Sequence, residues 1–346
     1  MSCAVAAARR LFDDLARRGE AEPSGATLVS VLRKSGLLAA SQTLAHHPSD
    51  PLKLVDALVC VGRADLSAGR LFEGHVNAVK LLHLHGGPLD AVEQGLLHGI
   101  WGADGPDPVR LEDGILTGQK LFASGADVID RVIVTARSDA GLHLLMFRRD
   151  QLQGRLFPEE WAMSGMQATA SGRCDLNGLA LADAVSLGGA DDYLIEPHFH
   201  GGVWRYAAVQ LGAMQALTAL TADQLCARGH QDAPLQAKRL HAMITATETA
   251  RLWVAQAACR IERPDATTGD AHYSILARLR VADEAVAVLT MMDQALGVGS
   301  FAMGHPAERI RRDLSVYLRQ AAPDALALAS IKGILSDPDL ARRWIG

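Results

Sequence analysis

Two histidine pairs, a set of hydrolytic residue types and one glycine-rich turn are the parts of this chain whose types and spacing could do chemistry. Glu196-Pro197-His198-Phe199-His200 and His83-Leu84-His85 each contain an H-x-H pair. On a strand the two rings share a face and can hold a metal ion, but neither pair has a third ligand at fixed spacing, so hinge or surface histidines are expected and no metal is assigned. Ser171, Asp130 and His143 have the types of a hydrolytic triad, yet no nucleophile elbow surrounds the serine. Gly297-Val298-Gly299-Ser300-Phe301-Ala302 fits the GxGxxA form of a dinucleotide fingerprint, which needs a preceding strand. The residues before it, Asp283 to Leu289, read as helix, and a Rossmann site is rejected. The five cysteines, Cys3, Cys60, Cys174, Cys226 and Cys259, show no CxxC spacing and read as small buried groups in a reducing compartment.

The elements that must position these residues follow from composition and periodicity. The chain has 346 residues, 49% hydrophobic and 5% aromatic, with 34 Lys and Arg against 39 Asp and Glu. Such a chain exceeds one comfortable core and is too apolar for disorder. Its mild acidity lacks the basic clusters that nucleic acid demands, and no apolar run reaches bilayer length. A cytoplasmic protein is expected. Val5, Ala8, Leu11, Phe12 and Leu15 recur at helical spacing until Gly19, and helix-like stretches continue to a turn at His83–Pro88. Short β-compatible runs, Val132–Thr135 and Leu142–Phe147, then lie between glycines and predict a small antiparallel sheet or barrel. After Pro197 helices return over 204–228, 234–262 and 272–296, with Pro306 opening another. The expected domains are therefore 1–90, helical; 91–195, β; and 196–346, a helical bundle.

Four stretches within this order make it specific. Gly114-Ile115-Leu116-Thr117-Gly118-Gln119-Lys120-Leu121-Phe122-Ala123-Ser124 is similar to the "G-x-x-x-x-G-x-K-x-W-I-T" segment of the acyl-CoA dehydrogenase flavoproteins. Gly165-Met166-Gln167-Ala168-Thr169-Ala170-Ser171 is similar to their "G-x-R-x-S-x-S/T" strand, Gln294–Gly299 to "Q-x-x-G-G-x-G", and Pro306–Asp313 to "P-x-E-R-x-x-R-D". The chain thus resembles that family over roughly residues 50–325. The resemblance implies an α+β fold with N-terminal helices, a central antiparallel β domain and a C-terminal four-helix bundle. It implies FAD, with Phe122 packing on the isoalloxazine and Ser124 near flavin N5. It also implies a homodimer or homotetramer in which Gln294, Gly297 and Gly299 touch a neighbouring subunit's cofactor. Arg228 matches the arginine of the family's "R-x-Q-F-G" loop, whose forked guanidinium reaches a flavin pyrophosphate. The implied activity is oxidation of an acyl-CoA or related acyl thioester, with hydride transfer to flavin N5.

The catalytic carboxylate of the family is replaced. Eight residues past Asp313 stands Ala321, which cannot take a proton and offers only its backbone N–H to polarise a substrate carbonyl. The alternative base position on the first bundle helix falls near Gly202. Asp324, three residues beyond Ala321, and Glu196, His198 or His200 are the candidates for a displaced base. A reduced-flavin monooxygenase of the same fold and a non-catalytic relative are the competing readings. The loop Gly99–Pro108 also departs from the family's "T-E-P-x-x-G-S-D".

Overall fold

The computed structural model describes residues 1–17, 22–44, 47–320 and 322–346. Before the sheets come α1 (Ser2–Arg17), α2 (Gly25–Lys34), α3 (Leu37–Ala40), α4 (Pro51–Ala64), α5 (Leu66–Leu84) and α6 (Asp90–Glu93). The strands are β1 (His98–Trp101), β2 (Arg110–Glu112), β3 (Ile115–Thr117), β4 (Gln119–Ala123), β5 (Arg131–Ser138), β6 (Gly141–Arg148), β7 (Leu156–Phe157), β8 (Gly172–Asp175) and β9 (Val185–Leu187). Then follow α7 (Trp204–Ala227), α8 (Pro234–Ile261), α9 (Thr268–Leu296), α10 (Pro306–Tyr317), α11 (Pro323–Ser336) and α12 (Pro338–Ile345). Gly19, expected to stop the first helix, lies outside the described residues; α1 ends at Arg17.

The chain divides into two units. The first comprises Met1–Ser49, Ser67–Met163 and Gln167–Ile195; the second comprises Asp50–Leu66, Ser164–Met166 and Glu196–Gly346.

In the first unit β5 and β6 form a hairpin extended by β9, with antiparallel pairing throughout. Alternate residues Ile133, Leu144 and Met146 turn to one face, where Ala78, Val79, Leu81 and Leu82 of α5 cover them. The free edge of β5 is shared end to end by β1 and β2, and both run parallel to it. These parallel pairings join the expected antiparallel ones because β1 enters the sheet from α6 without a hairpin turn. A second sheet has the order β4-β8-β7.

In the second unit the long helices fall where periodicity predicts them. The helix α9 starts at Thr268 because Thr267 and Asp270 form a capping box, and Pro234 and Pro306 occupy first-turn positions of α8 and α10. The helix α4 joins this unit by lying on α7 at a glycine crossing. A Cβ on Gly62 would stand 2.3 Å from the Val209 carbonyl oxygen, and one on Gly212 would stand 2.4 Å from that of Val59. Only hydrogen atoms at both positions allow this approach. Asp65, just past α4, pairs with Arg309 of α10, which fixes the same C-terminal end of the helix to a second partner.

Gly212→Ala should therefore destabilise the protein by about 1–3 kcal/mol through overpacking, read as a lowered denaturant midpoint. Gly304→Ala, whose Cβ would meet nothing within 4 Å, should leave the midpoint unchanged.

Candidate functional site

The first unit presents an aromatic ring by an unusual backbone route. Between β4 and β8, Lys120 pairs with Cys174 and Ala123 with Gly172, so β4 carries one residue more than its partner across that interval. The excess is absorbed at Phe122, which adopts φ +53°. Left-handed backbone costs a bulky L-residue about 1–2 kcal/mol. The residue is nonetheless 54% exposed, with Trp161 edge-on to its ring at 6.2 Å between centroids. Burial does not compensate this conformation, which marks the ring as a displayed surface.

Ser124 stands two residues further on. Its N–H donates to the Phe122 carbonyl (2.8 Å), and its own carbonyl accepts from Trp101 Nε1 (3.1 Å). Its hydroxyl accepts from Ser171 Oγ at 3.0 Å, and Ser171 is bonded in turn to Thr169 Oγ1 at 2.7 Å. Gly125, at φ +77°, donates to the Thr169 carbonyl (2.6 Å) and brings the two loops together. The motif residues Phe122, Ser124 and Ser171, which stand apart in sequence, are thus brought into one place.

Buried polar anchors hold this place. Lys120 is wholly buried and donates to Asp104 Oδ1 (2.5 Å) and Thr135 Oγ1 (2.7 Å). Burial lowers its pKa, opposed by its bond to Asp104. Asp104 lies in the Gly99–Pro108 loop, so this divergent segment still clamps the motif lysine. The indole of Trp101, from β1, is also buried and grips Ser124. The strand β1 is tied to α5 by His75, whose Nδ1 accepts from the His98 N–H (3.0 Å) while Nε2 bonds the Leu38 carbonyl (2.9 Å). Burial, aided by the neighbouring His98, holds His75 at about 3; burial holds His98 at about 4. Trp101 and Asp104 were missed by sequence reasoning, because a single buried tryptophan or a loop aspartate has no spacing signature.

The second unit collects the other expected contacts at the end of its bundle. Arg228 caps α7 in the open, with its Nη2 donating to Gln224 Oε1 at 3.2 Å. Gln224 bonds His305 Nε2 (2.8 Å), whose pKa is lowered by burial and by the positive charges of Arg311 and Arg228. Arg311 bridges Asp293 (2.7 Å) and the Ser300 carbonyl (3.0 Å), fixing the turn that contains Gly297 and Gly299. Gly297 takes φ +69° at the end of α9, and Gln294 is exposed one turn earlier. The motif Pro306–Asp313 thus has a legible purpose: Arg311 shapes this turn, and Asp313 accepts the Met166 N–H at 2.6 Å.

Asp324 is exposed on the first turn of α11. Ala321 lies outside the described residues. The turn before α11 is held by Arg278, a fully buried guanidinium whose Nη2 reaches the Leu318 (3.1 Å) and Gln320 (3.3 Å) carbonyls. His200 Nδ1 bonds Glu196 Oε1 at 2.5 Å, and no metal-holding cluster exists among the described residues. The hydrolytic types stay apart: His143 bonds Ser138 (2.7 Å) and Asp130 bonds Arg33 (2.9 Å). The GxGxxA stretch follows a helix.

No protein-family model and no curated protein matches the chain. Solved structures do. Butyryl-CoA dehydrogenase from Megasphaera elsdenii superposes with a TM-score of 0.81 at 16% identity, covering 96% of this chain and 97% of that one. The chain has an acyl-CoA dehydrogenase-like fold. TdsC from Paenibacillus sp. A11-2, solved with FMN and indole, shares this fold at a TM-score of 0.80 and 17% identity, over 97% of this chain and 96% of that one. Podospora anserina nitroalkane oxidase does so at 0.78 and 16%, over 97% and 95%. In this acyl-CoA dehydrogenase-like fold the displayed ring and its hydroxyl chain belong to the β unit, and the Arg228 cluster to the bundle.

The two buried imidazoles make stability pH-dependent. Their folded values lie below the 6.5 of an unfolded histidine, so on acidification the unfolded chain takes up protons that the folded chain refuses. The stabilisation is complete above pH 6.5 and is lost as pH falls through about 4 and then about 3. The unfolding free energy from denaturant titrations should fall with a limiting slope of roughly 1.4 kcal/mol per pH unit for each ring. His98→Gln should remove one share of that slope; an unchanged slope would show that His98 titrates normally.

Proposed function

We propose that this protein is a flavin-dependent oxidoreductase acting on an acyl-CoA or a related acyl thioester. The observation that carries the reading is Phe122, held in costly backbone to expose a flat apolar face beside the Ser124 hydroxyl. A planar heteroaromatic ring with acceptor atoms at its edge is the ligand such a pair suits. The FMN in the TdsC and KijD3 structures supports a flavin in this fold, and the likeness to butyryl-CoA dehydrogenase supports a thioester substrate.

When bound, the flavin supplies a hydride acceptor at N5. Phe122 and Trp161 give the ring an apolar wall that excludes water, and Ser124 offers its edge a hydroxyl. FAD is favoured because Arg228 stands exposed, with a fork suited to a pyrophosphate that FMN lacks. Gln294, Gly297 and Gly299 would meet the cofactor of a second copy in a homodimer or homotetramer. The neighbouring Val298 and Met303, 88% and 81% exposed, support covering this turn. Asp324, exposed on the first turn of α11, is the proposed proton acceptor. All five cysteines are free, which agrees with a cytoplasmic setting, and no helix among the described residues is long and apolar enough to cross a membrane.

Incubation with FAD or FMN followed by gel filtration should leave a visible flavin spectrum on the protein, and Phe122→Ala should weaken flavin binding by about tenfold. Anaerobic butyryl-CoA should bleach the bound flavin. Asp324→Asn should slow that bleaching by at least about a hundredfold; an unchanged rate removes Asp324 as the base. Product formed only with oxygen and separately reduced flavin would instead favour a monooxygenase, the reading to which the likeness to TdsC with FMN and indole lends support.

A further inference from the structure

The hydroxyl chain behind Ser124 has a direction, and that direction follows from counting protons. A serine or threonine hydroxyl has one hydrogen to donate and lone pairs to accept. Ser171 Oγ donates to Ser124 Oγ at 3.0 Å, which uses its only hydrogen. The 2.7 Å contact between Thr169 Oγ1 and Ser171 Oγ must then be donated by Thr169. The order is Thr169 to Ser171 to Ser124, and the hydrogen at its end, on Ser124 Oγ, has no acceptor among the described residues. Thr169 and Ser171 are 1% and 6% exposed, whereas Ser124 is half-buried next to the exposed Phe122 ring. A chain of aligned hydroxyls polarises its members and makes the terminal one a stronger donor.

We infer that Ser171 is a positioning residue: its hydroxyl occupies the acceptor side of Ser124, so that the Ser124 hydrogen is committed to an acceptor atom on a ligand stacked at Phe122. The inference deepens the flavin reading proposed above and rests on it. The backbone supports the assignment independently. Ala170, between the two buried hydroxyls, is held at φ +41°, and the Thr169 carbonyl accepts from Gly125 N–H at 2.6 Å, so both ends of the chain are fixed by main-chain geometry. A loop that only needed its polar groups satisfied would gain nothing from the order in which the protons run.

The test is flavin titration of the purified protein, followed by visible absorbance, in Ser124→Ala, Ser171→Ala, their double variant and Ser171→Thr. Ser124→Ala should weaken binding about fivefold, the loss expected of one neutral hydrogen bond, and displace the long-wavelength flavin band. Ser171→Ala should weaken binding less, with a band displacement of the same sign. The double variant should match Ser124→Ala alone, because Ser171 then has nothing to orient, and Ser171→Thr should restore the wild-type band. Thr169→Val probes the chain from its far end and should displace the band in the same sense, a readout that stands even if Ser171→Ala fails to fold. A wild-type spectrum in both Ser171→Ala and Thr169→Val, or an effect of Ser171→Ala that persists in full beside Ser124→Ala, overturns the inference alone. A wild-type protein that takes up no flavin overturns the flavin reading and this inference together.

Discussion

Main-chain pairing between β4 and β8 admits one surplus residue on β4, and the geometry of the candidate site depends on how that surplus is absorbed. An extra residue in a ladder breaks the alternation of faces. Lys120 stays turned into the protein, the next residues cross the break, and Phe122 emerges outward instead of joining the core. The strain is confined by neighbours that cannot yield: Lys120 is clamped by Asp104 and Thr135, and Ser124 is gripped by Trp101 and Ser171. The neutral clamps are worth little alone, about 1 kcal/mol net for each hydrogen bond, and those of Lys120 somewhat more because it is charged. Together they hold a ring that would otherwise relax into an ordinary strand position.

Much of this was legible in the residues. The helices of the bundle announce themselves by period and proline, and Phe122, Ser124 and the 294–299 turn are marked by the order of four motifs. What was illegible shares a physical cause. The parallel alignment of β1 with β5 is a contact across some thirty residues with no turn signal to report it. The roles of Trp101 and Asp104 depend on a partner distant in sequence, as does the assignment of α4 to the bundle. Ser171 is instructive: its residue type prompted a hydrolytic reading, while its function in the structure is decided by which hydroxyl it faces. His143 and Asp130, the other members of that reading, are occupied by Ser138 and Arg33.

The second unit uses buried charge differently. Among the described residues Arg278 pairs with no carboxylate; it lies against the carbonyls at the C-terminal end of α10, where the helix carries partial negative charge. Arg205 and Glu262, by contrast, neutralise one another at 2.5 Å inside the bundle. The two acceptors of Arg278, the Leu318 and Gln320 carbonyls, belong to the turn before α11. That is the turn in which the resemblance places a carboxylate and this sequence has Ala321.

The glycine crossing of α4 on α7 bears on how the chain is made. The helix α4 buries Leu54, Leu58 and Val61, yet its partner begins only at Trp204, with β1 to β9 lying between them. At ribosomal speeds the wait for α7 to be synthesised is roughly 7–28 s. For that interval α4 is an amphipathic segment without its neighbour, while the strands of the first unit are being made. The joint of α4 on α7 therefore cannot close until every strand lying between its two helices has been made, and its two glycines set how near those late-meeting helices then come.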